Sequence, residues 1–298
     1  MKRLMLFLRK RFHPLFRLRR FAAFQWLTRR LDIPIAIPFK DISHPIYVSL
    51  SKNLSSVLSG GESFEENERE SFIWLVKAAG FHSFLDVGAN IGFYAFIFAS
   101  IVSDPTVTMV EPDDGNARLI RKTILASAHG ARMTLVEAAA SDESGSLTFY
   151  KDGLTGYTGS LVSSANDSFI ATHYHRTPLE VKVRAMTLDE LCPVDSPDII
   201  KIDVEGAELK VLRGAQAMIM RSHPALMFEC DQDKDKEAVH IYLVRCGYTF
   251  FEMETLLPVD SIPFNCLALH PMKHGTIIAA MAARASAGST FGGHNGPH

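Results

Sequence analysis

Short apolar runs alternate with amphipathic segments along the chain. Apolar runs of four to seven residues bounded by polar or turn-forming residues indicate buried strands, and apolar residues at helical spacing indicate helices. The pattern predicts, in order, a helix over 62–79, a strand over 83–88, a helix over 91–102, a strand over 106–112, a helix over 114–128 and a strand over 133–140. This alternation indicates a parallel sheet with helices on both faces, an α/β fold.

The rhythm changes after Ser141 and then returns. "SLTFYK" and "LEVKVRAMTL" alternate with the two-residue period of exposed antiparallel strands. The 151–180 insertion between them is polar and has no strong period, and such long loops are usually functional or disordered. The α/β pattern then predicts a strand over 198–206, a helix over 207–222, a strand over 224–230, a helix over 236–247 and strands over 248–253 and 264–271.

Positive charge is concentrated at the N-terminus. Of the 31 Lys and Arg residues, 10 lie within residues 1–30, which contain no acid. The remaining chain carries 21 basic against 33 acidic residues, a net charge near −12. A body this acidic, without a basic stripe interleaved with aromatic residues, is a poor match for nucleic acid, so we expect no nucleic-acid partner.

Residues 1–32 intersperse Leu, Phe, Met and Trp with Arg and Lys, which allows two interpretations. The segment is either a basic amphipathic helix in peripheral contact with an anionic membrane or a partner, or a helical extension packed on the body. Pro14 predicts a break between two short helices. Charges interrupt every apolar stretch well before the roughly 18 residues of a spanning helix, and a secretory signal is not expected either.

These patterns divide the chain into a basic extension (1–32), a cap or linker (33–61), one domain (62–272) and a C-terminal segment (273–298). The Gly-, Ala- and Ser-rich end of that segment, "ARASAGSTFGGHNGPH", is predicted to be a disordered tail. The four cysteines form no CxxC pair, which disfavours a zinc site and a disulfide framework and is typical of a reducing cytoplasm.

Ligands of parallel sheets bind at the carboxyl ends of the strands. The first strand ends in the loop 86–92, whose glycines allow a ligand to approach the backbone, although tight packing explains such a loop equally well. The second strand ends in Glu111, where an acid can bind both hydroxyls of a ribose. Together they predict a nucleoside-containing cofactor. The loop lacks the third glycine of the GxGxxG motif that binds nicotinamide dinucleotides, which favours a cofactor without a pyrophosphate.

Five segments together resemble the FkbM family of S-adenosylmethionine-dependent methyltransferases: "FLDVGANIGFYAF", "VEPDDGNARLIRKTI", "AAASDESGSLTF", "MTLDEL" and "IIKIDVEGAELKVLRGA". The resemblance extends over about residues 62–272. It implies a doubly wound, Rossmann-like methyltransferase fold whose seven-stranded, mostly parallel sheet has an antiparallel last strand. The strands predicted over 248–253 and 264–271 fit that final hairpin.

The resemblance also implies which residues contact S-adenosylmethionine. Four residues of the first loop would line its methionine part: Asp86, Gly88, Asn90 and Gly92. Glu111 would bind the ribose hydroxyls. Ser141 and Asp142 would flank the adenine, with Asp142 accepting a hydrogen bond from the exocyclic amine; a turn-forming role is the alternative for Asp142.

The segment "KIDVEG" (201–206) contains the densest group of charges. Strand alternation would place Lys201, Asp203 and Glu205 on one side, where burial is costly unless the charges are paired or functional. Asp203 or Glu205 could act as the base that takes a proton from a hydroxyl acceptor, could hold a divalent cation, or could form a structural ion pair with Lys201. Weaker candidates for the base are Glu208, His173 and His175.

The resemblance implies O-methylation of a hydroxyl on a saccharide or a related natural product. We expect residues 31–61 and 151–180 to recognise this acceptor. Two other functions stay open from the sequence. One is a non-catalytic module with a cofactor-binding fold that recruits a partner through its basic N-terminus; the other is a nicotinamide-dependent oxidoreductase.

Overall fold

The computed structural model describes residue 26 and residues 33–50, 52–53, 65–151, 159–161, 179–230 and 233–291 of the 298-residue chain. The basic extension, apart from residue 26, and most of the 151–180 insertion lie outside the described residues. None of the helices within the described ranges combines the length and apolar character needed to cross a membrane.

The chain begins with an antiparallel strand pair, β1 (Pro34–Ile37) and β2 (Ile46–Ser49). The first half of the domain consists of α1 (Glu66–Ala79), β3 (Ser83–Val87), α2 (Phe93–Ile101), β4 (Thr106–Val110), α3 (Asp114–Ala126) and β5 (Met133–Val136). A smaller unit follows, formed by β6 (Ala139–Ala140), β7 (Gly145–Lys151), β8 (Leu179–Met186) and the short helix α4 (Leu188–Leu191). The second half consists of β9 (Ile199–Ile202), α5 (Glu208–Arg213), α6 (Gln216–Ser222), β10 (Ala225–Glu229), α7 (Asp233–Arg245), β11 (Thr249–Glu252), β12 (Pro258–Val259), β13 (Asn265–Leu269) and α8 (Pro271–Phe291).

The main sheet has the strand order β12-β11-β13-β10-β9-β3-β4-β5. Strands β5, β4, β3, β9 and β10 pair in parallel, whereas β13 is antiparallel to both of its neighbours. The chain runs outward from β3 to β5 and then restarts at β9 on the other side, so strand order reverses between β3 and β9. The predicted α/β fold class is confirmed, and the final hairpin forms as expected. The sheet has eight strands rather than seven because the two-residue β12 pairs with β11.

Helix α2 lies at the centre of the larger core. Its sequence, "FYAFIFASI", is apolar all round, and residues 93–99 are all buried. On one side the ring of Tyr94 contacts Phe72 of α1 edge to face, with 5.2 Å between centroids. On another side the β1–β2 unit covers the helix, since Phe39 packs against Phe93 at 5.5 Å. The segment predicted as a cap or linker therefore supplies part of the core.

Two predicted strands are shorter than expected. The strand predicted over 133–140 divides where the amide of Ala138 bonds the carbonyl of Val136, and β6 then joins β8 in a separate three-stranded sheet with β7. The predicted antiparallel pairing of β7 and β8 is confirmed. The strand predicted over 198–206 ends at Ile202, because the chain turns through Glu205 and Gly206, which both have positive φ.

The helical predictions also need two corrections. The helix predicted over 207–222 is two helices, α5 and α6, which meet at Gly214, the C-cap of α5. The last helix continues to Phe291, so residues 283–291 of the predicted disordered tail are helical. Residues 292–298 lie outside the described part of the chain.

Candidate active site

Two adjoining clefts open at the carboxyl ends of the parallel strands, where strand order reverses. The first, here called the β4 cleft, encloses about 640 Å³ of empty space, part of it continuous with solvent, beside the end of β4. The second, the β10 cleft, encloses about 670 Å³ between α1, α2 and the ends of β3, β9 and β10. Both clefts are lined by the same four residues at their junction: Gly88, Asn90, Asp203 and Glu205.

The loop 86–92 forms the wall between strand β3 and helix α2. Gly88 has φ +77°, and a Cβ at this position would lie 1.8 Å from the carbonyl oxygen of Asp203. Glycine is therefore required for the loop to pack against the end of β9. Gly92 has φ +79° and lines neither cleft; a Cβ there would lie 2.6 Å from the ring of Phe96. Packing explains Gly92, whereas Asn90 faces both clefts.

Glu111 lies at the end of β4 and is only 4% exposed. Its two carboxylate oxygens accept hydrogen bonds from the amides of Asn90, over 2.7 Å, and Asp113, over 2.8 Å. Burial raises the pKa of Glu111 to about 8 in spite of these bonds. The side chain of Asp113 caps α3 by accepting from the amides of Gly115 and Asn116, so helix capping does not require Glu111.

The far wall of the β4 cleft is apolar. Ala139, Ala140 and Phe149 line it, and they are brought there by the small sheet. Ser141 is buried next to this wall but lines neither cleft, and its hydroxyl donates to the carboxylate of Asp142 over 3.0 Å. Asp142 is exposed and likewise absent from the lining. Sequence reasoning missed Phe149, although the two-residue period of β7 marks it as an inward-facing position.

Charged side chains line the β10 cleft. The ammonium of Lys201 donates to the carboxylate of Asp203 over 2.8 Å and lies 5.2 Å from the ring centroid of Tyr94. These two residues lie on one side, as predicted, although Asp203 follows the end of β9. Glu205 lines this cleft beside them and lines the β4 cleft as well, although the chain leaves the strand before it and turns with φ +52°.

Sequence reasoning also missed two carboxylates of the β10 cleft, Glu65 and Glu229. Glu229 is the last residue of β10, just as Glu111 comes directly after β4. An acid at the end of a predicted buried strand was therefore the signal that could have identified Glu229. Glu65 precedes α1 in the left-handed region, and no local pattern marks it. Burial raises the pKa of Glu229 to about 8 and also raises the pKa of Glu65.

Lys201 and Asp86 lie deepest in this cleft. Burial alone would lower the pKa of Lys201, but the carboxylates of Asp203 and Asp86 outweigh it and raise that pKa above its usual range. Asp86 is 1% exposed, and burial raises its pKa to about 6. Its Oδ1 atom has no hydrogen-bond partner among the described residues. A buried acceptor in this state is available to a group that donates a hydrogen bond.

The weaker base candidates lie elsewhere. Glu208 is buried and accepts a hydrogen bond from the amide of Gly206, which shapes the turn after β9. His173 and His175 lie outside the described residues. Within the described ranges, no group of three or more His, Cys, Asp or Glu residues is arranged to hold a metal ion.

The sequence was compared with models of known protein families and with curated proteins. A model described as the FkbM methyltransferase domain matches residues 86–258, more than half of the chain. The chain belongs to the FkbM methyltransferase family. The match begins at Asp86, at the wall of both clefts, and includes β4, β9 and β10. No curated protein matches this FkbM chain significantly.

Several solved structures resemble this FkbM methyltransferase at low identity. Methyltransferase FkbM from Methylobacillus flagellatus KT is 18% identical, with a TM-score of 0.46; the alignment covers 66% of this chain and 47% of that one. A putative caffeoyl-CoA O-methyltransferase from Staphylococcus aureus is 11% identical over 73% of this chain and 90% of that one, with a TM-score of 0.43. An O-methyltransferase from Bacillus cereus, in complex with SAH, is 13% identical over 74% and 88%, with a TM-score of 0.40. The family assignment rests on the family model.

The residues of the two clefts fit the cofactor that this S-adenosylmethionine-dependent family uses. The β4 cleft offers a carboxylate, Glu111, beside an apolar wall, which suits a ribose and an adenine. In the β10 cleft, Asp86 and Asn90 have buried Oδ1 atoms without a hydrogen-bond partner among the described residues, two acceptors that an ammonium group could use. The backbone of Gly88 lies between the two clefts without a side chain to block the passage.

Proposed function

We propose that this FkbM methyltransferase is an O-methyltransferase that acts on a hydroxyl group of a saccharide or a related natural product. The observation that carries the proposal is the meeting of two clefts at Asp203 and Glu205: one pairs the carboxylate of Glu111 with an apolar wall, and the other is lined by acids. One cleft suits the cofactor, and the other leaves room for an acceptor beside two candidate bases.

The cofactor contacts follow from the lining of the β4 cleft. Glu111 would accept hydrogen bonds from the ribose hydroxyls, and Ala140 and Phe149 would enclose the adenine. Asp86 and Asn90 would bind the methionine part. When bound, S-adenosylmethionine supplies an electrophilic methyl group: its carbon forms a bond to the acceptor oxygen as the carbon–sulfur bond breaks and its electron pair stays on sulfur.

The protein's own contribution is to orient the acceptor and to remove its proton. A hydroxyl is a poor nucleophile until its proton begins to leave, so a carboxylate within hydrogen-bond reach accelerates the transfer. Lys201 fixes Asp203 in one orientation by donating to its Oδ2 atom, which leaves Oδ1 to accept the acceptor's proton. Glu205 lies at the same junction as the second candidate for the base.

Calorimetry with S-adenosylhomocysteine tests the cofactor assignment. The wild type should bind it, and Glu111→Ala should weaken binding at least about tenfold, since two hydrogen bonds to a charged group are lost. Glu143→Ala, which removes an exposed acid outside both clefts, is the matched control. If NADH binds instead of S-adenosylhomocysteine, the protein is a nicotinamide enzyme and the proposal fails.

Mass spectrometry of hydroxyl compounds incubated with enzyme and S-adenosylmethionine tests the reaction. We expect one product to gain a methyl group, and Asp203→Asn to slow its formation while S-adenosylhomocysteine still binds. Cofactor binding without any methylated product across saccharides and polyketide-like alcohols would instead favour the non-catalytic module.

A further inference from the structure

Residues 159–161, here called the strap, connect the small sheet with the turn that follows β9. Ser160 forms an antiparallel backbone pair with Tyr150 of β7: the amide of Tyr150 donates to the carbonyl of Ser160 over 2.8 Å, and the amide of Ser160 donates back over 3.2 Å. The residues on either side of Ser160, Gly159 and Leu161, line the β4 cleft. The strap therefore forms part of the wall of the cleft that suits the cofactor.

Packing fixes the position of the strap on β7. Phe149 is 5% exposed, and a Cβ on Gly159 would lie 2.3 Å from the Cζ atom of its ring. Glycine is required for the backbone of the strap to lie this close to the ring. The strap and the apolar wall of the β4 cleft thus form one packed unit.

The side chain of Ser160 extends from this unit to the turn after β9. Its hydroxyl donates to the carbonyl oxygen of Glu205 over 2.8 Å. At the other end of the same peptide bond, the amide of Gly206 donates to the carboxylate of Glu208 over 2.9 Å. The Glu205–Gly206 peptide is therefore held on both sides, by the strap and by the first residue of α5.

This hold acts on an unfavourable backbone conformation. Glu205 has φ +52° and Gly206 has φ +92°. Glycine adopts positive φ readily, whereas glutamate adopts it rarely, and such a conformation persists only where surrounding contacts fix it. In this conformation Glu205 lines both clefts. The two hydrogen bonds to the peptide therefore control the orientation of a candidate base.

We propose that Ser160 is a positioning residue: by holding the Glu205–Gly206 peptide, it keeps the carboxylate of Glu205 at the junction of the two clefts. Glu208 holds the same peptide from the opposite side. The proposal rests on the proposed O-methyltransferase function, in which the ribose lies in the β4 cleft and the methionine part of the cofactor in the β10 cleft. The sulfur joins these two parts of the cofactor, so it would lie at the junction beside Glu205.

Sinefungin and S-adenosylhomocysteine are suitable probes, because they differ at the position of the sulfur. S-adenosylhomocysteine has a neutral thioether there, whereas sinefungin carries an ammonium group on the carbon that replaces the sulfur. Calorimetry with the full chain measures the affinity for each, and the ratio of the two affinities reports the negative charge at the junction. We expect Glu205→Gln to lower the relative affinity for sinefungin by about threefold, which is typical of an exposed charge pair.

Ser160→Ala should lower the same ratio by at least about twofold, because a lost hydrogen bond leaves Glu205 less firmly placed. Ser160→Thr, which keeps the hydroxyl, should preserve the ratio, as should the matched control Ser146→Ala, an exposed serine on β7. Adding Ser160→Ala to Glu205→Gln should change the ratio no further, since both substitutions act through one carboxylate. Glu208→Ala should also lower the ratio, whereas Glu208→Gln, which keeps an acceptor for the amide of Gly206, should not.

Other results overturn the proposal in distinguishable ways. A ratio that Glu205→Gln leaves unchanged shows that Glu205 does not face the sulfur, and the O-methyltransferase function still stands. Equal weakening of both ligands in Ser160→Ala assigns the strap to enclosing the cofactor alone, and a further fall of the ratio when Ser160→Ala is added to Glu205→Gln shows that Ser160 acts by another route.

No binding of S-adenosylhomocysteine by the wild type overturns the proposed function itself. Thermal unfolding confirms that each variant folds, and Glu208→Ala takes the place of Ser160→Ala if the latter does not fold.

Discussion

Replacing Glu111 with Gln should change both the stability of the protein and the pH dependence of cofactor binding. The pKa of Glu111 is about 8 in the folded protein, against an ordinary value of 4.5. At 1.36 kcal/mol per pH unit, this difference corresponds to about 5 kcal/mol. Because the folded-state pKa is raised, the contribution of Glu111 to stability is complete below pH 4.5 and is lost as the pH rises through 8. The free energy of unfolding should therefore fall less steeply over this range in Glu111→Gln than in the wild type.

Cofactor binding should show the opposite trend. The ribose hydroxyls donate to the ionised carboxylate, and only about 1% of Glu111 is ionised at pH 6 when its pKa is about 8. The affinity of the wild type for S-adenosylhomocysteine should thus rise by up to about tenfold per pH unit between pH 6 and 8, and level off above that. The affinity of Glu111→Gln should lack this part of the pH dependence.

Isothermal titration calorimetry at pH 6, 7 and 8 measures the affinity for S-adenosylhomocysteine, and urea unfolding at pH values between 4.5 and 8 measures the free energy of unfolding. Repeating the titration in buffers that differ in ionisation heat counts the protons released on binding, which should approach one per cofactor for the wild type at pH 7. Glu143→Gln is the control and should follow the wild type. The reasoning is refuted if wild-type affinity is independent of pH, or if Glu111→Gln releases as many protons as the wild type.

Three further predictions concern folding. Lys201→Met should lower the free energy of unfolding in urea by about 3–5 kcal/mol, because buried acids lose their partner. Lys40→Met, which breaks an exposed ion pair, should change it by less than about 1 kcal/mol. Equal effects of the two substitutions would contradict the burial argument. Gly80 has φ +66° and open space where a Cβ would lie, so Gly80→Ala should lower the free energy of unfolding by about 1–2 kcal/mol. Gly88→Ala should lower the free energy of unfolding by clearly more and should abolish S-adenosylhomocysteine binding, because its Cβ would lie 1.8 Å from the carbonyl oxygen of Asp203. Similar melting temperatures for Gly80→Ala and Gly88→Ala would contradict the described packing. Burial lowers the pKa of His274 to about 4 from 6.5, so the wild type should lose about 3 kcal/mol of stability as the pH falls from 6.5 to 4. Thermal unfolding of His274→Gln should show a smaller loss over this range. If the variant and the wild type have the same pH profile, His274 is not the source of the acid sensitivity.

The sequence is informative wherever a buried strand ends in a polar residue. Apolar runs that stop at Asp86, Glu111 and Asp203 marked the polar residues at the ends of β3, β4 and β9, although β9 was predicted to continue to residue 206. Parallel topology brings these strand ends together. The same rule applied to β10 would have found Glu229. The cap of α3 by Asp113 is likewise a local interaction, because Asp is a preferred N-cap residue.

The remaining features depend on contacts that no local pattern records. Whether Ala139 and Ala140 continue β5 or join β8 is decided by a turn and by pairing with residues 46 positions further along the chain. Glu205 lies in a turn after β9 rather than in the predicted strand, because the backbone passes through positive φ there. Glu65 reaches the β10 cleft from the start of α1, which no local pattern marks. The period of β7 marks Phe149 as inward-facing, but that it lines the β4 cleft follows from the position of the small sheet.

The contact between Gly88 and the backbone of Asp203 joins two loops that are 115 residues apart in sequence. Since no side chain separates them, neither loop can shift without displacing the other, and the two clefts share one rigid partition. We therefore expect cooperativity between the two ligands: a bound cofactor analogue should change the affinity for the acceptor, and the acceptor should change the affinity for the analogue by the same factor.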